Sequence, residues 1–381
     1  MDTPFETSDA PTMSYARARL YLGVSCVGMW TVVSALALLF RLPGRILSAN
    51  TLWSLTDVTQ LASVVLLYAF LQGAFDLFGG FVLPKEYGRY TPTLSGFLLH
   101  WFRGALLHGA LLLFIGLLLL GSARLGGLWL ALLVFLLVNV GMIYGQVLLA
   151  RLVGGLGVRR EEGKDNVLLL EAPYPHLTGG VAGLVRKVIV VPQAWRDRFG
   201  PETFDLLVKR KRMLVEKGSR RNGLLVALLW NTLGFVLAYL AAGGTASVAG
   251  LVSFSLWSTL WAFLGVLVLP TLSRRAVFQG DALAASTGRE VGLLTEALKT
   301  LDRDQDDEFR RGGAVETVFH PIPSVARRIE RLETRDTPPN LATWHVARTA
   351  LYLSWANLSF LSRAVHCNIG RPEVWVFLPS D

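Results

Sequence analysis

The chain has 381 residues, of which 52% are hydrophobic and 17% charged, with a mean hydropathy of +0.45. It is too apolar for an ordinary soluble protein and too often interrupted by charge to lie wholly in a membrane, which leaves a polytopic membrane protein with sizeable soluble parts. The formal charge of +9 does not call for nucleic acid, because many cations flank apolar runs, where an anionic cytoplasmic leaflet and the positive-inside bias account for them.

Residues 1–19 read as a cytoplasmic amino-terminal tail. Asp2, Glu6 and Asp9 precede Arg17 and Arg19, and the apolar run Leu20–Phe40 is long enough to cross a bilayer. It therefore reads as a retained span rather than a cleaved signal. Residues 20–150 form a four-helix transmembrane region. The second span, Val58–Leu83, is the most polar, with Gln60, Gln72 and Asp76. Asp76 is an intramembrane functional candidate, but the following Gly79-Gly80 favours the plainer reading that it marks the span's end near the headgroups. The third span, Phe97–Leu120, carries His100, Arg103 and His108. The fourth, Leu128–Ala150, contains Asn139 and a small-xxx-small pattern at Gly141 and Gly145, suited to close helix contact.

From Arg151 to Arg221 there are fifteen Lys and Arg residues and no run long enough to span, so residues 151–222 are soluble. Val167–Glu171 and Val188–Val191 read as strands, Pro192–Phe199 as a short helix, and Pro201 opens a longer one. A transmembrane hairpin occupies 223–272, with spans Leu224–Ala242 and Val248–Leu272 joined by a short turn. Residues 273–335 are charged and helical, with a solvated acidic loop at Asp302–Glu308. In the last segment, 336–381, the stretch Trp344–Val365 is broken by His345, Arg348, Asn357 and Arg363. It is expected to lie as an amphipathic helix on the membrane or on a partner, with Trp375 and Phe377 beyond it in reach of a partner or of the chain's own domain. Six spans place nearly all the cations on one side, which the positive-inside rule makes cytoplasmic. The expected setting is a bacterial inner membrane.

The run Lys187–Tyr239 resembles metallopeptidase family 48, the HtpX-type membrane peptidases and CAAX prenyl endopeptidases. There a strand and a short helix precede the helix that bears His-Glu-x-x-His, two histidines on one helix face binding zinc and the glutamate activating water. The chain then crosses the membrane twice and returns with Ser273–Ala285 and Phe319–Ile329, the latter similar to the family's His-Pro followed by Arg-Ile. The resemblance covers residues 160–335. It implies a polytopic α-helical membrane protein of about six spans, with a cytoplasmic α+β zincin-like peptidase domain split by the transmembrane hairpin.

Carried over by position, the first zinc histidine falls on Lys209, the catalytic glutamate on Arg210, the second histidine on Met213 and the third ligand on Val277. No histidine lies between 177 and 319, so no His-Glu-x-x-His exists in any register. The substrate-aligning element corresponds at best to residues 175–180. Asp281, which in the family supports a zinc histidine, and His320 and Pro321 are retained. A buried Asp281 needs a cation, and Lys209 or Arg210 is expected to supply it. Lys211, Arg212, Lys217, Arg220 and Arg221 are expected to form a basic collar at the membrane surface, each cation contributing on the order of 1 kcal/mol against anionic headgroups.

No other metal site is indicated. Cys26 and Cys367 make no Cys-x-x-Cys motif, His366 and Cys367 are adjacent, and His100 and His108 stand too far apart axially to share an ion. The resemblance thus points to a family member without zinc or other cofactor and without catalysis: a scaffold, assembly or regulatory subunit whose partners are the bilayer's anionic headgroups and another membrane protein. A metalloendopeptidase with a non-standard site is the alternative. A transporter using Asp76 and Arg103 lacks any repeat between the two halves of the chain.

Overall fold

The computed structural model describes residues 13–378 apart from 90–91, 165, 173, 175, 306 and 335–341. α1 (Tyr15–Leu39) starts at Ser14, whose hydroxyl accepts from the Arg17 amide. A short α2 (Leu42–Ile46) leads to α3 (Leu55–Leu77), which opens with a Ser54/Asp57 capping box of the kind that satisfies exposed first-turn amides. α3 runs through a π-helical turn (Phe78–Val82) into α4 (Leu83–Glu86).

α5 (Leu94–Tyr144) covers 51 residues and is broken at Gly126 and Gly127, where Gly127 takes a φ of +58° that favours glycine. The chain doubles back there. Gly104 in the first leg lies so close to the Val153 carbonyl that an added Cβ would stand 3.1 Å from it, an approach impossible along a straight rod rising 1.5 Å per residue. The expected fourth span ends at Tyr144, and α6 (Gln146–Gly154) is a separate helix beyond Gly145.

A four-stranded sheet follows, in the order β1-β2-β4-β3. β2 (Val167–Glu171) and β4 (Val188–Pro192) are the two strands legible in the sequence, and they pair in parallel at its centre. β1 (Gly157–Arg160) and β3 (Gly180–Ala182) add antiparallel edges. α7 (Gln193–Arg198) and α8 (Pro201–Glu216) come next. Gly218, at φ +77°, turns the chain from α8 into α9 (Ser219–Ala241).

α10 (Val248–Ala284) has 37 residues and passes through Pro270 without ending. One helix therefore carries the chain from the apolar bundle to the soluble elements. α11 (Gly288–Gln305), α12 (Gly313–Phe319) and α13 (Val325–Thr334) complete that part. Val167, Ile189, Trp195 and Leu207 share one core with Leu294, Leu298, Val325 and Leu332, although α9 and α10 separate the two groups in sequence. Five helices among the described residues are long and apolar enough to cross a membrane: α1, α3 with α4, α5, α9 and α10.

The carboxy-terminal segment departs from its sequence expectation. α14 (Val346–Leu353) and two 3-10 turns thread through the helical bundle, and every residue at 350–364 and 368–378 is buried. Residues 346–365 are packed among the helices instead of lying as an exposed amphipathic helix, and Trp375 and Phe377 pack on the chain itself, one of the two placements open to them. The polar residues that interrupted its apolar pattern are paired inside. Asn357 Nδ2 donates to Asn231 Oδ1 (2.9 Å), the Phe360 amide to Thr259 Oγ1 (3.0 Å) and the Tyr352 hydroxyl to the Met142 carbonyl (2.9 Å). Such pairing offsets the cost of burying polar groups.

Candidate functional site

α8 brings the expected site to the junction of sheet and bundle. Successive residues on a helix point about 100° apart, so Lys209 and Arg210 part company. Lys209 Nζ reaches outward to Glu290 Oε1 at 2.6 Å. The other carboxylate oxygen of Glu290 caps α11 by accepting from the Ser286 and Thr287 amides at 2.9 and 3.1 Å. The Lys209 hydrogen bond, followed by those from Ser286 and Thr287, holds the Glu290 carboxyl down at about 2.

Arg210 turns inward and meets Asp281. Its Nε donates to Asp281 Oδ1 at 2.6 Å and its Nη2 to the Val277 carbonyl at 3.2 Å. Val277 and Asp281 are four apart on α10, hence on one face. From α13, Arg328 completes a clamp on the same carboxylate, Nε to Oδ2 at 2.8 Å and Nη2 to Oδ1 at 2.7 Å. The side chains of Arg210, Asp281 and Arg328 are 3%, 2% and 4% exposed. A forked arginine on a carboxylate is a strong charge-assisted pair, and here one carboxylate serves two guanidiniums out of water. Met213 is half-buried and Val277 buried. Arg328 was not singled out in the sequence; its signal is the Arg-Ile that follows His320-Pro321.

His320 is buried, with its ring 4.9 Å from that of His366 and its carbonyl accepting from Arg274 Nη1 at 3.4 Å. Close by, fully buried Glu316 accepts from the Ser324 amide (3.1 Å) and Arg327 Nη1 (2.7 Å), tying the start of α13 to α12.

The basic collar requires correction. Lys211 is buried among core residues because it shares a helix face with Leu207 and Leu214, and its Nζ lies 5.5 and 5.9 Å over the Trp195 and Trp344 rings. Arg220 is also buried and donates to the Val181 carbonyl at 3.2 Å. Arg212 is half-buried, and only Lys217 and Arg221 of the five are exposed. Val181 belongs to β3, the edge strand that follows residues 175–180. Arg220 occupies its carbonyl, and Phe377 packs on Gly180, so that edge is covered by the chain itself.

Asp76, at the end of α3, is fully buried, and its carboxylate accepts from Arg363, from Trp101 Nε1 (2.9 Å), Gln72 Nε2 (3.1 Å) and the Gly370 amide (2.8 Å). Arg363 in turn lies 3.7 Å over the Trp375 ring. This second buried ion pair pins the carboxy-terminal segment to α3. His100 and His108 are drawn to different partners, His100 Nε2 lying 3.5 Å from Glu373 Oε2 and the His108 ring 4.4 Å from Trp355.

The junction encloses a small cavity of about 70 Å³ whose wall includes Arg210, Lys211, Arg328, Arg348 and Arg371 together with His176 and His320. Burial, reinforced by Arg371, Arg19 and Arg89, holds His176 well below its ordinary pKa, so its imidazole is neutral. Among the described residues, no three His, Cys, Asp or Glu side chains are grouped so that they could hold a metal ion.

The fold is similar to that of the family-48 membrane metallopeptidases. It matches the crystal structure of Ste24p from S. mikatae with a TM-score of 0.59 over 80% of each chain, at 14% sequence identity. No protein-family profile and no curated protein matches the sequence.

Proposed function

We propose that this protein is a non-catalytic homologue of the family-48 membrane peptidases, working as a scaffold, assembly or regulatory subunit of a membrane protein complex. On this reading its zincin-like part is split by the α9–α10 hairpin and faces the cytoplasm of a bacterial inner membrane, with α5 counted as two legs among six crossings; the positive-inside bias of the chain's cations supports that orientation. The observation that supports the reading is the buried Arg210–Asp281–Arg328 clamp.

The residues at the family's zinc positions do not fit the metal. Zinc takes thiolate, imidazole or carboxylate donors. Lys209 and Arg210 are cations without a free lone pair at neutral pH, Val277 has no donor atom, and the Met213 thioether is a soft ligand more suited to Cu(I) than to zinc. Asp281, the remaining carboxylate, already serves two guanidiniums. No hydrolytic step follows from such a set.

Loss of the donor set leaves the architecture with contact as its work. Native mass spectrometry of complexes released from the protein's own membranes tests this. A membrane protein in fixed stoichiometry with the chain is the expected result, and a chain recovered alone, in native lipid and at native abundance, would refute the subunit role.

A further inference from the structure

The cationic cavity does not end at the site. A second, apolar cavity of about 300 Å³ lies between Leu20–Gly28 of α1 and Phe263–Pro270 of α10, with Ala347 and Leu351 of α14 along it. Arg348, His366 and Cys367 line both cavities. Since α1 and α10 are both long and apolar enough to cross a membrane, the second cavity lies where acyl chains pack, and Gly28 has open space where a Cβ would stand.

Arg348 sits at the junction of the two. It is 7% exposed, and its polar contact is Nη1 to the Cys367 sulfur at 3.4 Å, while its Nε meets no acceptor. Arg371, 5% exposed, donates Nη2 to the Tyr15 hydroxyl at 2.7 Å, and its Nε likewise meets none. Among the described residues neither has a carboxylate within ion-pair distance. A buried guanidinium without an anion is costly, and with Asp302 as the carboxylate on a wall that carries five arginines and Lys211, Arg348 and Arg371 leave positive charge for an anion to answer.

We propose that these cavities hold a single lipid with a phosphomonoester headgroup, its phosphate on Arg348 and Arg371 and a hydrocarbon chain in the α1–α10 cavity. Arginine forks suit phosphate oxygens, and a headgroup carrying close to two negative charges answers two unpaired guanidiniums. The apolar cavity explains why the ligand is a lipid and not free phosphate. A lipid can be held whether or not the interior cuts peptides, so lipid retention tests this inference and zinc content tests the non-catalytic reading.

The test uses the full-length protein, stripped of lipid by detergent exchange and offered dioleoyl phosphatidic acid in micelles, with binding read by native mass spectrometry and by the shift in melting temperature. One phosphatidic acid per chain is expected. Arg348→Gln weakens it by about tenfold or more, as the loss of a charge-assisted bond implies. Val27→Trp, which fills the apolar cavity from α1, weakens it as well. Without lipid, Arg348→Gln melts no lower than the unsubstituted protein, because it relieves an unpaired buried charge. Equal binding of dioleoyl phosphatidylcholine or of oleate, a full shift from inorganic phosphate alone, undiminished binding by both variants, or a lower lipid-free melting temperature in Arg348→Gln would each overturn the proposal.

Discussion

Replacing Asp281 by Asn keeps the shape of the side chain and removes the one negative charge that two buried guanidiniums share. Arg210 and Arg328 are 3% and 4% exposed, so neither can recover its hydration without opening the junction of α8, α10 and α13. Breaking a buried pair in this way costs about 3–5 kcal/mol, whereas exchanging the whole cluster for apolar groups is neutral or stabilising by about 1–4 kcal/mol. Asp281→Asn is therefore expected to lower stability by about 3–5 kcal/mol. The triple variant Arg210→Met/Asp281→Leu/Arg328→Met is expected to melt at or above the starting protein, a strong departure from additivity. Thermal and denaturant unfolding in one detergent, followed by the chain's tryptophan fluorescence, to which Trp195 and Trp344 near the cluster contribute among eleven tryptophans, reads both. If Asp281→Asn left the transition unmoved, or if the triple variant were as damaged as the single, the three side chains would not act as one buried ion cluster.

The Asp76–Arg363 pair makes a parallel case. Asp76→Asn is expected to cost about 3–5 kcal/mol and to expose residues 344–378 to limited proteolysis, while Asp76→Asn/Arg363→Gln recovers much of the loss. Gly80→Ala would drive a methyl into the Gly370 carbonyl and is expected to destabilise by about 1–3 kcal/mol, seen as a lower melting temperature with the same proteolytic pattern. The Glu290 carboxyl, held at about 2 against 4.5 when unfolded, contributes stability that is present above pH 4.5 and is lost as pH falls toward 2; Glu290→Gln should flatten the pH–stability curve in that window. His176 has the same sign by another route. It stays neutral when folded, so below its ordinary 6.5 the unfolded chain takes up a proton that the folded one refuses, and stability falls with pH until the folded value is reached. His176→Leu should lessen the dependence just below pH 6.5.

Much of the fold was legible because membrane spans and parallel strands leave long apolar signals. β2, β4, α7 and α8 fall where Val167–Glu171, Val188–Val191, Pro192–Phe199 and Pro201 placed them, within a residue at either end. The edge strands β1 and β3 escaped because four and three residues carry too little alternation to stand out. The carboxy-terminal segment was misjudged for a more general reason. Arg348, Asn357 and Arg363 look like a solvent-facing stripe, and nothing local says that Asn231 and Asp76, more than a hundred residues away, are waiting for two of them inside the bundle. Lys211 and Arg220 failed the same way, since a run of cations reads as surface until the leucines one turn away are seen to face a core. At the site, Arg210 or Lys209 was a candidate for Asp281, and helix geometry decided between them. Arg328 needed the fold, because α13 reaches Asp281 from forty-seven residues away.

Elemental analysis of the full-length protein, purified with added zinc and then dialysed, is the sharpest test of the proposed loss of zinc at Lys209, Arg210, Met213 and Val277, where Arg210 is instead ion-paired with Asp281. The expected result is zinc far below one per chain, no peptide cleavage, and no change in melting temperature on chelation. One tightly held zinc per chain, lost to chelator together with stability or peptidase activity, would overturn the proposed function.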